Sequence, residues 1–220
     1  MCFLGKYRKR VPEVSVAGLH LKNPAGLRQC SGGPLLNARH PSGAGFITLC
    51  PPKEHVLDWI LQLQEYRKNT VLAVNLTRDI AHSFSLMYDF SDLLIADPEG
   101  EPGIDAPDIS DITLLLDEMV NLRLCYEQYT PIALRLSLGS EPEEVRTLLN
   151  HCRLSGIDAV VAPGPRKVRQ VMQETQGRLP VIGSAQTVEE ALECLQAGAS
   201  LVETSLGIFA FQKLLKSLAQ

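Results

Sequence analysis

Two hydrophobic periods alternate along the chain. Short runs rich in Val, Ile, Leu and Ala are separated by longer stretches in which apolar residues recur every three to four positions. Eight of the short runs read as strands: Ala25–Cys30, Gly45–Cys50, Val71–Leu76, Asp92–Asp97, Ile132–Ser137, Ala159–Ala162, Pro180–Ser184 and Ser200–Thr204. Between them, Glu54–Arg67 sets Val56, Leu57, Ile60, Leu61 and Leu63 on one broad stripe. Ile109–Tyr129 carries Leu115, Leu116, Met119, Val120 and Leu124. Glu141–Ser155 places Val145, Leu148, Leu149 and Cys152 at helical spacing, with Ser140 and Glu143 as a candidate cap. Arg166–Gln176 and Phe209–Leu218 complete the predicted helices. Ahead of the first strand, Val14–Leu21 alternates with period two around Gly18 and predicts a β-hairpin.

Leu179–Phe209 shows the repeating unit most clearly. Val181 and Ile182 form a β-branched run that stops at Gly183, and Thr187 with Glu190 fits a capping box. Val188, Ala191, Leu192 and Leu195 share a helical face, Gly198 ends the helix, and Leu201-Val202 begins the next strand. Parallel strands need such a crossover helix. Eight strands with short connections in 220 residues predict closure into a (β/α)8 TIM barrel rather than an open doubly wound sheet. The expected layout is one domain: an arm over residues 1–13, a hairpin over 14–24 across the barrel floor, and the barrel over 25–220. The first crossover, Gly32 to Ala44, is too short for a full helix.

Composition narrows the function classes. A formal charge of −4 gives no electrostatic footprint for nucleic acid, and the single basic run, Lys6–Arg10, reads as a solvated arm. No apolar stretch approaches the ~20 residues of a membrane span, and the N-terminal residues do not read as a signal peptide, so a cytoplasmic protein is expected. The six cysteines lie far apart without a C-x-x-C pair, so no metal site is expected. Cys30 and Cys50 end adjacent predicted strands and read as unrelated thiols. None of the five histidines falls at a strand C-terminus, where this fold places its chemistry.

VAGLHLKNPAGL, GAGFITLCPP, VLAVNL and PIALRLS, taken together, resemble segments of dihydroorotate dehydrogenases, which are FMN-dependent (β/α)8 barrels. VAGLHLKNPAGL (Val16–Leu27) is similar to the segment that crosses the floor and enters the first strand. GAGFITLCPP (Gly43–Pro52), VLAVNL (Val71–Leu76), PIALRLS (Pro131–Ser137), GIDAVVAPG (Gly156–Gly164), LPVIG and AGASLV resemble later strands, so the resemblance runs from Val14 to the C-terminus. It implies FMN across the strand C-termini and oxidation of dihydroorotate to orotate, in pyrimidine metabolism. By the same resemblance, Asn75, Arg135, Gly183, Ser184 and Gly207 occupy cofactor positions.

The residues that carry the family chemistry depart from its pattern. Gln29 and Cys30 stand where an Ala-Gly turn is expected, and Gly33 where a lysine is expected. The fourth strand runs into Asp97-Pro98-Glu99-Gly100, with no Ser or Cys base before Pro102. Arg135 replaces the lysine that faces the flavin, Pro163-Gly164 replaces Thr-Asn, and Ser184-Ala185-Gln186 replaces x-Gly-Gly. No catalytic residue is identified; Asp97 and Arg135 are weak candidates. The expectation is a barrel that has lost FMN binding and acts as a non-catalytic binder or scaffold. Its partner would be a small phosphorylated ligand or a protein. The alternative is an active FMN-dependent oxidoreductase with a remodelled site. Three structural expectations follow: a closed barrel, a shallow mouth, and an Arg135–Asp97 salt bridge with Asn75 or Gln29 hydrogen-bonded nearby.

Overall fold

The computed structural model describes residues 13–29, 43–52, 58–61, 67, 70–76, 80–98, 107–137 and 139–219. Eight parallel strands close into one barrel: β3 (Ala25–Gln29), β4 (Phe46–Leu49), β5 (Val71–Leu76), β6 (Leu93–Ala96), β7 (Ile132–Arg135), β8 (Ala159–Pro163), β9 (Val181–Ala185) and β10 (Leu201–Thr204), with β10 returning to pair with β3. The helices are α1 (Ile80–Met87), α2 (Ile109–Arg123), α3 (Pro142–Ser155), α4 (Gly164–Thr175), α5 (Val188–Gln196) and α6 (Ile208–Leu218). Of the predicted helix over Glu54–Arg67, residues 58–61 and 67 are helical and the others lie outside the described residues, as do the arm and most of the first crossover.

Before the barrel, β1 (Val14–Val16) and β2 (Leu19–Leu21) pair antiparallel through Ala17 and Gly18. Both turn residues have positive φ, 50° and 80°, which suits the right-handed twist of a two-residue hairpin. The side chains of Val16 and Leu21 pack with Phe46, Leu93, Ala159 and Leu201 and so close the barrel floor. The adjoining Gly26 has a packing role: a Cβ there would lie 2.4 Å from the Phe46 ring, so the missing side chain lets Phe46 fill the interior.

Strand alternation divides the core in two. Leu72, Val74, Leu94, Ile132, Val160 and Val202 face the helices, whereas Ala73, Ile95, Ala133, Val161 and Ile182 fill the barrel. Because parallel strands start and end together, the inward positions form layers from floor to top. The lower layers are apolar and the uppermost is charged.

Strand and helix ends differ from the sequence reading by one or two residues in several elements, and three differences are larger or involve a cap. α1 was not predicted; IAHSFSLM mixes Ser and His among its apolar residues, and its helical form is supported by Phe84 and Met87 packing into the core. α2 ends at Arg123 rather than Tyr129, because Tyr129 turns to hydrogen-bond Asp158. The cap of α3 is Glu141 with Glu144 rather than Ser140 with Glu143, so that Pro142 takes the first turn, where no N–H is needed. Of the Thr187–Glu190 capping box of α5 the threonine half forms, Glu190 N donating to Thr187 Oγ1 at 3.1 Å, while the Glu190 carboxylate accepts from Gln186 N.

Candidate functional site

The charged layer is built from six strands by one rule. Two residues beyond an inward apolar position lies another inward position. Phe46 leads to Thr48, Ala73 to Asn75, Ile95 to Asp97, Ala133 to Arg135 and Leu201 to Glu203. Gly26 leads in the same way to Arg28 on β3. All but Arg28 are buried, and Thr48 and Glu203 are fully so.

Two guanidiniums share two carboxylate oxygens. Arg135 Nη1 donates to Glu203 Oε1 at 2.6 Å, and Arg135 Nε lies 3.0 Å from Asp97 Oδ2 as an ion pair outside hydrogen-bond alignment. Arg28 approaches the same atoms less closely, with Nη2 3.5 Å from Asp97 Oδ2 and Nε 3.9 Å from Glu203 Oε1. The second oxygen of Glu203 accepts from Thr48 Oγ1 at 2.8 Å. Arg135 Nη2 donates to Asn75 Oδ1 at 3.2 Å, and Asn75 Nδ2 donates to Cys50 Sγ at 3.2 Å.

Burial alone pushes the Glu203 carboxyl upward. The Arg135 charge and hydrogen bond, the Arg28 charge and the Thr48 hydrogen bond outweigh it, so the net shift is downward and Glu203 is ionised. Arg28, Arg135, Asp97 and Glu203 then sum to zero charge. A neutral, mutually bonded cluster is the form in which charges tolerate a barrel interior.

The sequence reading anticipated the pairing of Arg135 with Asp97 and the nearness of Asn75. It overlooked Glu203 and Thr48. The signal was present in LVETS, where the carboxylate follows Leu201 by two and therefore points inward. Gln29 does not join the cluster; it continues the outward face of β3 and its Oε1 accepts no hydrogen bond. Cys30, Gly33, Glu99, His40 and His55 lie outside the described residues. His20 is exposed on β2 and bonds Ser15, and His151 pairs with Asp117 between α3 and α2, so neither faces the barrel top. Among the described residues, no group of His, Cys, Asp or Glu is arranged to hold a metal.

The residues described do not suit the FMN that the resemblance implies. Gly183, read as a cradle residue, faces α5: a Cβ there would meet Cys194 Cβ at 2.6 Å, so it serves helix–strand packing. Ser184 lies on the inward face, half-buried beside Glu203 in register. Pro163 at the end of β8 has no N–H to offer. The N–H of Gln186 donates to Glu190 Oε2 at 2.8 Å, so this turn supplies its own carboxylate where an anion would sit. Gly207 is exposed before α6 with open space around it. The positive charges of Arg28 and Arg135 are balanced by Asp97 and Glu203.

A half-open cleft of about 560 Å³ lies beside this layer, outside the barrel. Pro98, Ile109, Arg135, Ser137, Ser140 and Leu148 line it, and neither Asn75 nor Gly183 does. Both helix N-termini that open into it carry their own carboxylate caps, Asp108 for α2 and Glu141 with Glu144 for α3.

The architecture defines an eight-stranded parallel barrel with a polar layer at its C-terminal mouth. No family model and no curated protein matches the sequence. Solved structures match the fold. Ligand-free dihydroorotate dehydrogenase from Eimeria tenella is similar with a TM-score of 0.75 at 16% identity, over 100% of this chain and 88% of that one. The same enzyme in complex with ferulenol gives 0.73 at 14%, over 100% and 85%. A mandelate oxidase variant with a monooxide FMN adduct gives 0.58 at 15%, over 99% and 78%. The fold is thus the eight-stranded parallel barrel that these solved structures share. Among the described residues, no helix is long and apolar enough to cross a membrane.

Proposed function

We propose that this chain is a dihydroorotate dehydrogenase-like barrel that no longer binds FMN or oxidises dihydroorotate, and that it acts as a non-catalytic binder or scaffold alongside pyrimidine metabolism. One observation carries the reading. The inward positions at the strand C-termini, where such barrels build their sites, hold Arg28, Arg135, Asp97 and Glu203, which pair with one another and whose formal charges sum to zero. A flavin ring in that place would have to displace Arg135 from Glu203, Asp97 and Asn75. It would leave charges buried without partners, at several kcal/mol each. The Pro163 end of β8 and the self-capped turn after β9 support the same reading at the phosphate end.

The partner class is a protein or a small phosphorylated ligand. The absorbance spectrum of freshly purified protein, followed by titration with FMN and a dihydroorotate-dependent dye-reduction assay, tests the proposal. The expected result is colourless protein, no quenching of flavin fluorescence and no turnover. Yellow protein, or uptake of FMN near one per chain, would overturn it and leave the active oxidoreductase as the reading.

A further inference from the structure

We infer that the barrel mouth is a two-arginine anion site whose ligand is part of the chain, the carboxylate of Glu203. The inference deepens the reading above, because it says what occupies the place of a bound anionic group. Arg28 and Arg135 enter from β3 and β7, on different sides of the barrel, and both converge on Glu203 Oε1, at 3.9 Å and 2.6 Å. Thr48 supplies a hydroxyl donor to the other oxygen at 2.8 Å. One guanidinium and one hydroxyl that hydrogen-bond the carboxylate, with a second guanidinium at ion-pair distance, are the surroundings of a carboxylate receptor. Here the guest is tethered through strand β10 and fully buried.

The geometry separates this role from that of an ordinary ion pair. Asp97 balances only one of the two guanidinium charges. Without Glu203 the described residues of the layer carry a net positive charge, and the Thr48 hydroxyl loses its acceptor. The vacated volume is that of a small carboxylate. An untethered anion of the same chemistry can therefore replace the side chain.

The test is chemical rescue of Glu203→Ala, read by thermal melts of the full chain. The variant is expected to melt about 6–20 °C below the wild-type protein. Sodium formate should raise its melting temperature saturably, by about 3–6 °C once formate exceeds its Kd tenfold. Sodium chloride at equal ionic strength and formamide should not, and the wild-type protein should not respond to formate. If Glu203→Ala does not accumulate folded, the denatured variant is diluted into formate or chloride and the yield of folded protein is compared; a formate-dependent yield is expected. Absence of any formate effect, or an equal effect of chloride, overturns the inference. FMN titration of the wild-type protein is scored separately: uptake of FMN together with formate rescue would sink the functional proposal and leave this inference standing.

Discussion

Arg135 and Glu203 meet across the barrel at 2.6 Å, although 68 positions separate them in the chain. The contact joins β7 to β10, strands with β8 and β9 between them. It ties opposite parts of the wall through the interior rather than along the hydrogen-bonded ladder. Glu203 is inaccessible to solvent and Arg135 nearly so, which fixes the energetic stakes: a lone charge left there cannot be hydrated.

Arg135→Ala should therefore destabilise the fold by about 3–5 kcal/mol in urea denaturation, because it leaves Glu203 without its closest cation. Arg28→Ala should cost distinctly less, since Arg28 is 25% exposed and its contacts are 3.5 Å and 3.9 Å. Equal costs for the two would show that the cluster does not discriminate between its arginines as the distances say.

The acid limb of stability should report Glu203. Its carboxyl is held below the ordinary 4.5 in the folded chain. Between the two values the native state binds fewer protons than the unfolded state, so acid favours unfolding. The stabilisation is complete above pH of about 4.5 and is lost as pH falls through the lower, folded value. Urea melts between pH 3 and 7 should show a shallower acid decline for Glu203→Gln than for the wild-type protein. Parallel profiles would mean that Glu203 is not the titrating group.

The alkaline limb should report the barrel floor. Tyr129 Oη bonds Asp158, which also receives Arg123 Nη1 at 2.7 Å and the backbone N–H of Ile132 at 2.9 Å. Partial desolvation of the hydroxyl, on a side chain that is 60% exposed overall, and the Asp158 carboxylate, against the opposing Arg123 charge, push the phenol up to about 12 from 10.0. Between those values the native state holds a proton that the unfolded state has released, so stability falls as pH rises through the window. Tyr129→Phe should flatten the loss of melting temperature from pH 10 to 12. An unchanged slope would dismiss the role given to Tyr129.

These sites show what the sequence could and could not disclose. The barrel was legible because inward and outward strand faces are both apolar, and because Thr187 with Glu190 and Gly198 mark a helix by chemistry that tertiary contacts do not override. Arg135 and Asp97 were legible because the resemblance to dihydroorotate dehydrogenases set the inward register of the strands that they end. Glu203 was harder to see, since it sits inside LVETS among polar neighbours, and only the strand phase set by Leu201 separates an inward glutamate from a solvated one. α1 escaped because its helicity comes from Phe84 and Met87 packing into the core rather than from propensity. The cleft beside α2 and α3 has no sequence signature, because residues from four separate segments line it.

Gly183 and Gly207 offer the last test, because both look like cradle glycines in the sequence and the structure gives them different duties. At Gly183 an added Cβ would sit 2.6 Å from Cys194 Cβ and 3.0 Å from Cys194 Sγ, with Ala199 behind at 3.5 Å. The Cys194 Cβ is fixed to the α5 backbone, so a rotamer change cannot relieve the clash and the helix must move away from β9. Overpacking of this kind costs about 1–3 kcal/mol, and Gly183→Ala should fall in that range. At Gly207 an added Cβ meets nothing within 4 Å, and φ is −63°, open to any residue. Gly207 is also the N-cap of α6, where serine serves as well as glycine, so Gly207→Ser should change stability by less than about 0.5 kcal/mol. Paired denaturation curves decide the matter. A harmless Gly183→Ala would mean that this glycine is not kept for α5, and would return it to the list of ligand-facing positions.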